Sequence, residues 1–349
     1  MPFRMFGYNG HGQHLQGDTT ANNSVRTPDA GTYQDYHNTV NSSADGSVSR
    51  TALTFPRNNM KAFVFPGQGS QKSGMGKEIY DNISETRNLF NKANDILGFN
   101  ITNLMFEGTP EDLLQTKVTQ PAIFIHSVIS ALTSKEFKPQ ACAGHSLGEF
   151  SALVASEALS FEDGLKLVSI RANAMQEACQ KTKGTMAAIL GLENKIVEDV
   201  CNEIDENVKP ANYNCPGQLV ISGEYNAVEK ACQILKERGA KRALILPVSG
   251  AFHSNLMESA KKELKVGIDN TEFREPICKV YQNFSAKPVI DPEIIKMNLL
   301  SQLTGAVLWT QSVNEMIKDG INEFVEVGPG NTLQGLIRKI NPEVSVSKI

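Results

Sequence analysis

The stretch Gly144-His145-Ser146-Leu147-Gly148 constrains the chain more than any other. It matches Gly-x-Ser-x-Gly, a pattern that turns sharply from a strand into a helix and exposes a serine hydroxyl at the rim of a sheet. Its surroundings agree with that geometry. Pro139 to Ala143 ends in small apolar residues, as a buried strand does, while Leu147, Phe150, Ser151 and Val154 recur at helical spacing. Gly144 and Gly148 flank the serine where side chains would collide in so tight a turn. An α/β body is the expected setting, with Ser146 as a candidate nucleophile. The same residues also fit an ordinary βα turn closed with glycines.

A length of 349 residues allows one large core or two unequal domains. Hydrophobic residues at 40% and charged residues at 21% describe a soluble globular chain, and a net charge of −4 weighs against a nucleic-acid binder. No apolar run is long enough to span a bilayer. The cysteines Cys142, Cys179, Cys201, Cys215, Cys232 and Cys278 are scattered singly without a C-x-x-C pair. Reduced thiols in a cytoplasmic compartment are expected, with neither a disulfide frame nor a metal site.

Residues 1–59 are rich in Asn, Ser, Thr, Gly and Asp and carry no apolar period, so a disordered leader or tag is expected. Lys61 to Phe65 reads as a first buried strand running into Pro66-Gly67-Gln68-Gly69-Ser70-Gln71. That loop is not a dinucleotide fingerprint, because Lys72 stands where the third glycine belongs, and no Gly-Lys-Ser/Thr follows. It remains a tight turn whose Gln68 side chain or backbone N–H groups can face a site. Thr119-Gln120-Pro121 reads as a helix start with a cap and an early proline, and the lone His126 within that helix reads as structural. Ser160-Phe161-Glu162-Asp163 resembles a capping box. The helix behind it places Leu165, Val168, Ala172, Met175 and Cys179 on one face, with Arg171 about 60° from the centre of that stripe. An edge arginine either snorkels to water or meets an anion in a partly dry pocket.

Residues 184–248 change texture. Their strand, helix, strand, strand, helix, strand order is ferredoxin-like and is read as a small subdomain inserted into the body formed by 60–183 and 249–349. Asn214-Cys215-Pro216-Gly217 is its central turn, from which Asn212 or Asn214 can reach a neighbouring cleft. After the insertion comes Gly250-Ala251-Phe252-His253-Ser254. His253 lies in a loop between elements and is the candidate base by elimination, since His145 projects away from the serine it adjoins. The acids between Ser146 and His253 fall mostly inside the insertion, so a backbone carbonyl or amide is expected to orient the imidazole.

Phe65 to Gln71, Gly144 to Glu149, Arg171 to Gln176, Gly250 to Ser254 and Val327 to Gly330 occur in the order found in malonyl-CoA:acyl-carrier-protein transacylases, and the chain resembles that family over about residues 60–349. The resemblance implies an α/β-hydrolase-like large subdomain with an inserted ferredoxin-like small one. It implies that Ser146 is malonylated, that His253 is the general base, and that Arg171 pairs with the malonyl carboxylate. It further implies an oxyanion hole from the Gln68 and Leu147 N–H groups and a Gln302 carbonyl that orients the histidine. Gln68, Asn214 and Phe252 join Arg171 as expected substrate-binding residues, the Ala-Phe-His sequence resembling the malonyl-selecting version. Malonyl-CoA is then the substrate and CoA the product in fatty-acid synthesis, with holo acyl carrier protein as partner, a monomeric enzyme, and no tightly bound cofactor. Because such carriers are acidic, Lys181, Lys183, Arg338 and Lys339 are candidates for the docking face. The rival readings are a serine esterase or thioesterase, and a carrier-docking module without catalysis.

Overall fold

The computed structural model describes residues 60–204, 207–248 and 250–349. The expectation for 1–59 lies outside the described residues. The strands, in chain order, are β1 (Met60–Phe65), β2 (Ala141–Gly144), β3 (Gly184–Leu190), β4 (Val208–Cys215), β5 (Gln218–Glu224), β6 (Arg242–Ile245), β7 (Lys279–Gln282), β8 (Lys287–Val289), β9 (Ile321–Glu326) and β10 (Ser345–Lys348). They form a six-stranded sheet in the order β10-β9-β1-β2-β7-β8 and a four-stranded sheet in the order β4-β5-β3-β6.

The large sheet is parallel except for the edge strand β8, which runs antiparallel to β7. Both of its faces are covered, as β1 shows: Phe63 and Phe65 point into one apolar cluster, Ala62 and Val64 into another. Register brings the strand ends together, with Phe65 opposite Gly144, Val64 opposite Glu326 and Ala143 opposite Tyr281. The loops after β1, β2, β7 and β9 therefore leave along one carboxyl edge, where open parallel sheets bind ligands.

The small sheet is antiparallel throughout. In β3, Ala187 and Ile189 pack under the helices Asn194–Glu203 and Tyr225–Glu237, while Met186 joins the core of the body. The order of elements and the strand order are those of a ferredoxin-like unit.

Some local readings need correction. The helix expected to open at Thr119 runs from Thr116 to Thr133 and holds Pro121 inside it. The proline removes the bond its N–H would give to Lys117, but Lys117 is exposed near the helix end, so water can take that carbonyl. The last small-sheet strand is Arg242–Ile245, and β8, β10 and the helices Glu258–Asp269 and Pro292–Thr304 had no sequence expectation. The Ser160 cap is present: its Oγ accepts from the Asp163 N–H at 3.0 Å. Arg171 is 1% exposed, so it does not snorkel.

Candidate active site

The turn after β2 is held by close backbone approach. The His145 N–H donates to the Phe65 carbonyl at 2.9 Å, which docks the turn on the end of β1. A Cβ on Gly148 would overlap the Phe65 carbonyl oxygen, and one on Gly144 would overlap the Gly148 backbone. Ser146 itself sits at φ 52°, a left-handed conformation that side chains avoid. Because neither clash can be relieved by a side-chain rotation, Gly148→Ala is expected to lower stability by about 3 kcal/mol. Urea unfolding checks this, and a variant within the error of the parent would contradict the packing argument.

The serine hydroxyl meets two groups. Ser146 Oγ lies 2.8 Å from His253 Nε2 and accepts from Arg171 Nη2 at 3.0 Å. His253 Nδ1 lies 2.8 Å from the Gln302 carbonyl oxygen. A carbonyl can only accept, so Nδ1 carries the proton and Nε2 is left as the acceptor for the serine O–H. Burial, then the nearby Arg171 guanidinium, pushes His253 down to about 3, which keeps the imidazole neutral. His253 also has a positive φ, 59°.

Arg171 reaches the site from the helix Phe161–Lys181. Its Nη1 donates to Gln120 Oε1 at 2.6 Å and its Nη2 to Gln302 Oε1 at 3.2 Å, with the guanidinium carbon 5.7 Å from the Phe150 ring centre. Its buried Nε has no partner among the described residues. Burial lowers Arg171 to about 10 while the charge of Glu149 raises it. Glu149 is 0% exposed, and burial lifts its carboxyl to about 7 against the bonds from Asn283 and Gln282 that lower it.

Ser146, His253, Arg171 and Gln302 thus share one cluster. Gln68 lies in the loop packed on that turn, since a Cβ on neighbouring Gly67 would overlap the His145 carbonyl oxygen. Neither the Gln68 N–H nor the Leu147 N–H is given to a backbone acceptor among the described residues. The helix Gly148–Ala155 starts directly behind them, so its positive end faces the same place. Asn214 is instead engaged by His145, Oδ1 to Nε2 at 2.8 Å, and the His145 ring centre stands 5.6 Å from that of Trp309. Phe252 is buried beside His253 in sequence. His126 is held at about 4, by burial first.

Gln120, Glu149 and Asn283 had no site expectation. A buried glutamine on an apolar helix and an acid directly after the elbow glycine were the available signals. Asn283 had none beyond following a strand. Among the described residues no group of three or more His, Cys, Asp or Glu is arranged to hold a metal ion, and no helix is long and apolar enough to cross a membrane.

The acyl transferase domain pattern matches residues 62–346. The chain belongs to the acyl transferase domain family. The malonyl CoA-acyl carrier protein transacylase of Bacillus subtilis (strain 168) is 43% identical over 285 residues, 80% of this chain and 90% of that protein. The crystal structure of an acyl carrier protein S-malonyltransferase from Vibrio cholerae superposes with a TM-score of 0.80 at 39% identity, covering 83% of this chain and 97% of that one. A malonyl-transacylase in complex with its type II PKS acyl-carrier protein gives a TM-score of 0.80 at 38% identity, over 83% and 96%. In this chain the serine hydroxyl is bonded to a neutral imidazole, and a buried guanidinium stands against the same oxygen.

Proposed function

We propose that this chain transfers a malonyl group from malonyl-CoA to the phosphopantetheine thiol of acyl carrier protein, through a malonyl ester on Ser146, in fatty-acid biosynthesis. The observation that carries the reading is the single Ser146 oxygen touched by both His253 Nε2 and Arg171 Nη2. A carboxylate gripped by Arg171 brings a carbonyl one methylene away within reach of that oxygen. Acetyl and longer neutral groups leave the buried guanidinium without a countercharge.

In the first half-reaction Ser146 Oγ attacks the thioester carbonyl carbon as its proton passes to His253 Nε2. The Gln302 carbonyl holds the Nδ1–H and so steadies the imidazolium, a role an ordinary triad gives to a carboxylate. The tetrahedral oxyanion is received by the Gln68 and Leu147 N–H groups, each worth about 3 kcal/mol to the transition state. Collapse breaks the C–S bond, and the sulfur leaves with the proton from Nε2 as CoA. The carrier thiol then gives its proton to Nε2 and attacks the ester carbonyl, and Ser146 Oγ leaves with that proton. The reaction needs no metal and no tightly held cofactor.

The acting unit is taken to be a single chain in the cytoplasm, since one chain supplies every group in the site. Lys181, Lys183, Arg338 and Lys339 are exposed, and a basic face suits an acidic carrier. Lys183 also lies 4.7 Å from the Tyr225 ring centre.

Intact-mass analysis after mixing with malonyl-CoA tests the reading. A malonyl adduct on Ser146 is expected, discharged faster by a holo carrier of the fatty-acid type than by one of the polyketide type and much faster than by water. Release of malonate outpacing transfer would make the chain a thioesterase. Absence of any adduct would leave a docking module.

A further inference from the structure

Asn283 is the first residue after β7, and its side chain closes the end of β2. Its Nδ2 donates to the Gly144 carbonyl at 2.6 Å, and its Oδ1 accepts from the Ser146 N–H at 2.7 Å. One buried amide therefore takes the place of a neighbouring strand's peptide group at the point where the backbone turns out of the sheet. The residue type follows from the partners. Gly144 offers only an acceptor and Ser146 only a donor, so the group between them must donate on one side and accept on the other.

The amide is itself braced. The Asn283 N–H donates to the Glu149 carboxylate at 2.7 Å, and Gln282 Nε2 donates to the same carboxylate at 3.0 Å. Gln302 Nε2 donates to Asn283 Oδ1 at 3.2 Å and to the Ser146 carbonyl at 3.0 Å, while the Gln302 backbone carbonyl holds His253. The nucleophile, the group that orients the base and the end of β2 all converge on this side chain.

We propose that Asn283 is a positioning residue for acyl transfer: its amide, braced by Glu149, locks Ser146 in the left-handed conformation and in register with Gln302 and His253. The inference rests on the reading of Ser146 as the acylated nucleophile. Asn283 touches no reacting atom and acts through Ser146. A misplacement of about 1 Å at a reacting centre costs on the order of 100-fold in rate.

The test is the single-turnover rate of Ser146 malonylation by malonyl-CoA in the full chain, with labelling by a fluorophosphonate in parallel. Asn283→Ala is expected to slow both by about 100-fold while the concentration dependence on malonyl-CoA moves less than about threefold. Asn283→Asp adds a readout that simple loss of packing would not move. Its neutral carboxylic acid can donate to Gly144 and accept from Ser146, whereas its ionised form turns an oxygen toward the Gly144 carbonyl. Its rate relative to wild type should therefore rise as pH falls from 9 to 5.5. The titratable or charged groups around it are Glu149, Arg171, His253 and His145; Glu149 titrates in the same range and couples to a carboxyl at 283, so the ratio is also read in a Glu149→Gln background, where the rise toward low pH should persist. Rates for Asn283→Ala within threefold of wild type, or an Asp variant with the wild-type pH profile, would overturn the proposal. If the alanine variant fails to fold, the isosteric Asp variant carries the comparison, and failure of both would assign the network to stability alone. Wild type that takes the phosphonate but no malonyl group would remove the malonyl reading and still leave Asn283 testable by labelling.

Discussion

Ser146→Ala leaves no malonyl adduct and lowers transfer by about 10⁵-fold, the loss expected when an activated serine is removed and only binding and oxyanion stabilisation remain. The methyl group occupies the same left-handed backbone position as the serine Cβ, so the fold should be unaffected. His253→Ala is expected to lose about 10³-fold or more, and the double variant little beyond the worse single one, because the two groups work as a unit. Quench-flow acylation followed by mass analysis reads both losses. An alanine variant at 146 that still transfers within tenfold of wild type would move the chemistry to another residue.

The pH dependence of the same step follows from burial. A base works above its pKa and is lost as pH falls through it, and His253 is held at about 3 rather than near 6.5. The kcat/KM profile should therefore show no acid limb with a midpoint near 6.5. Glu149, at about 7, is the site group that titrates in the neutral range, so any inflection there should vanish in Glu149→Gln. A full limb near 6.5 that survives that substitution would mean that His253 is far more hydrated than its 3% exposure implies.

Arg171→Ala should cost malonyl-CoA about 10³-fold in kcat/KM, since a desolvated charge pair broken on one side loses roughly 4 kcal/mol. The same substitution also strips Gln120 and Gln302 of a partner and removes a donor from Ser146, so part of the loss is shared by every substrate. The ratio of malonyl-CoA to acetyl-CoA reactivity cancels that shared damage. It is expected to fall by about 100-fold or more. Arg171→Lys should lie between, because an ammonium keeps the charge without the planar fork. An unchanged ratio in the alanine variant would take acyl selection away from Arg171.

The elbow was legible because its requirements are local. Gly144 is demanded by the Gly148 backbone within the turn, and the residues before and after carry strand and helix patterns, whereas the demand on Gly148 comes from Phe65 at the end of β1. The inserted unit was legible for the same reason, as alternation and helical spacing report which way each side chain faces. His253 could be chosen by elimination among few histidines. The Gln302 carbonyl could not be derived from residue type, since every residue has a carbonyl, and it entered only through the family resemblance.

What the sequence by itself determined was the order and kind of the main elements and the position of the serine turn, because periodicity and the tightness of a turn act over a few residues. Tertiary structure alone decided that Arg171 is dry and that Gln120, Glu149 and Asn283 stand around it and the nucleophile. A helical projection counts only a helix's own residues, whereas Arg171 is covered by Gln120 on the helix Thr116–Thr133 and Phe150 on Gly148–Ala155. Buried polar groups must find partners wherever the fold brings them, and Asn283, which bonds both Ser146 and Glu149, lies more than a hundred residues away along the chain.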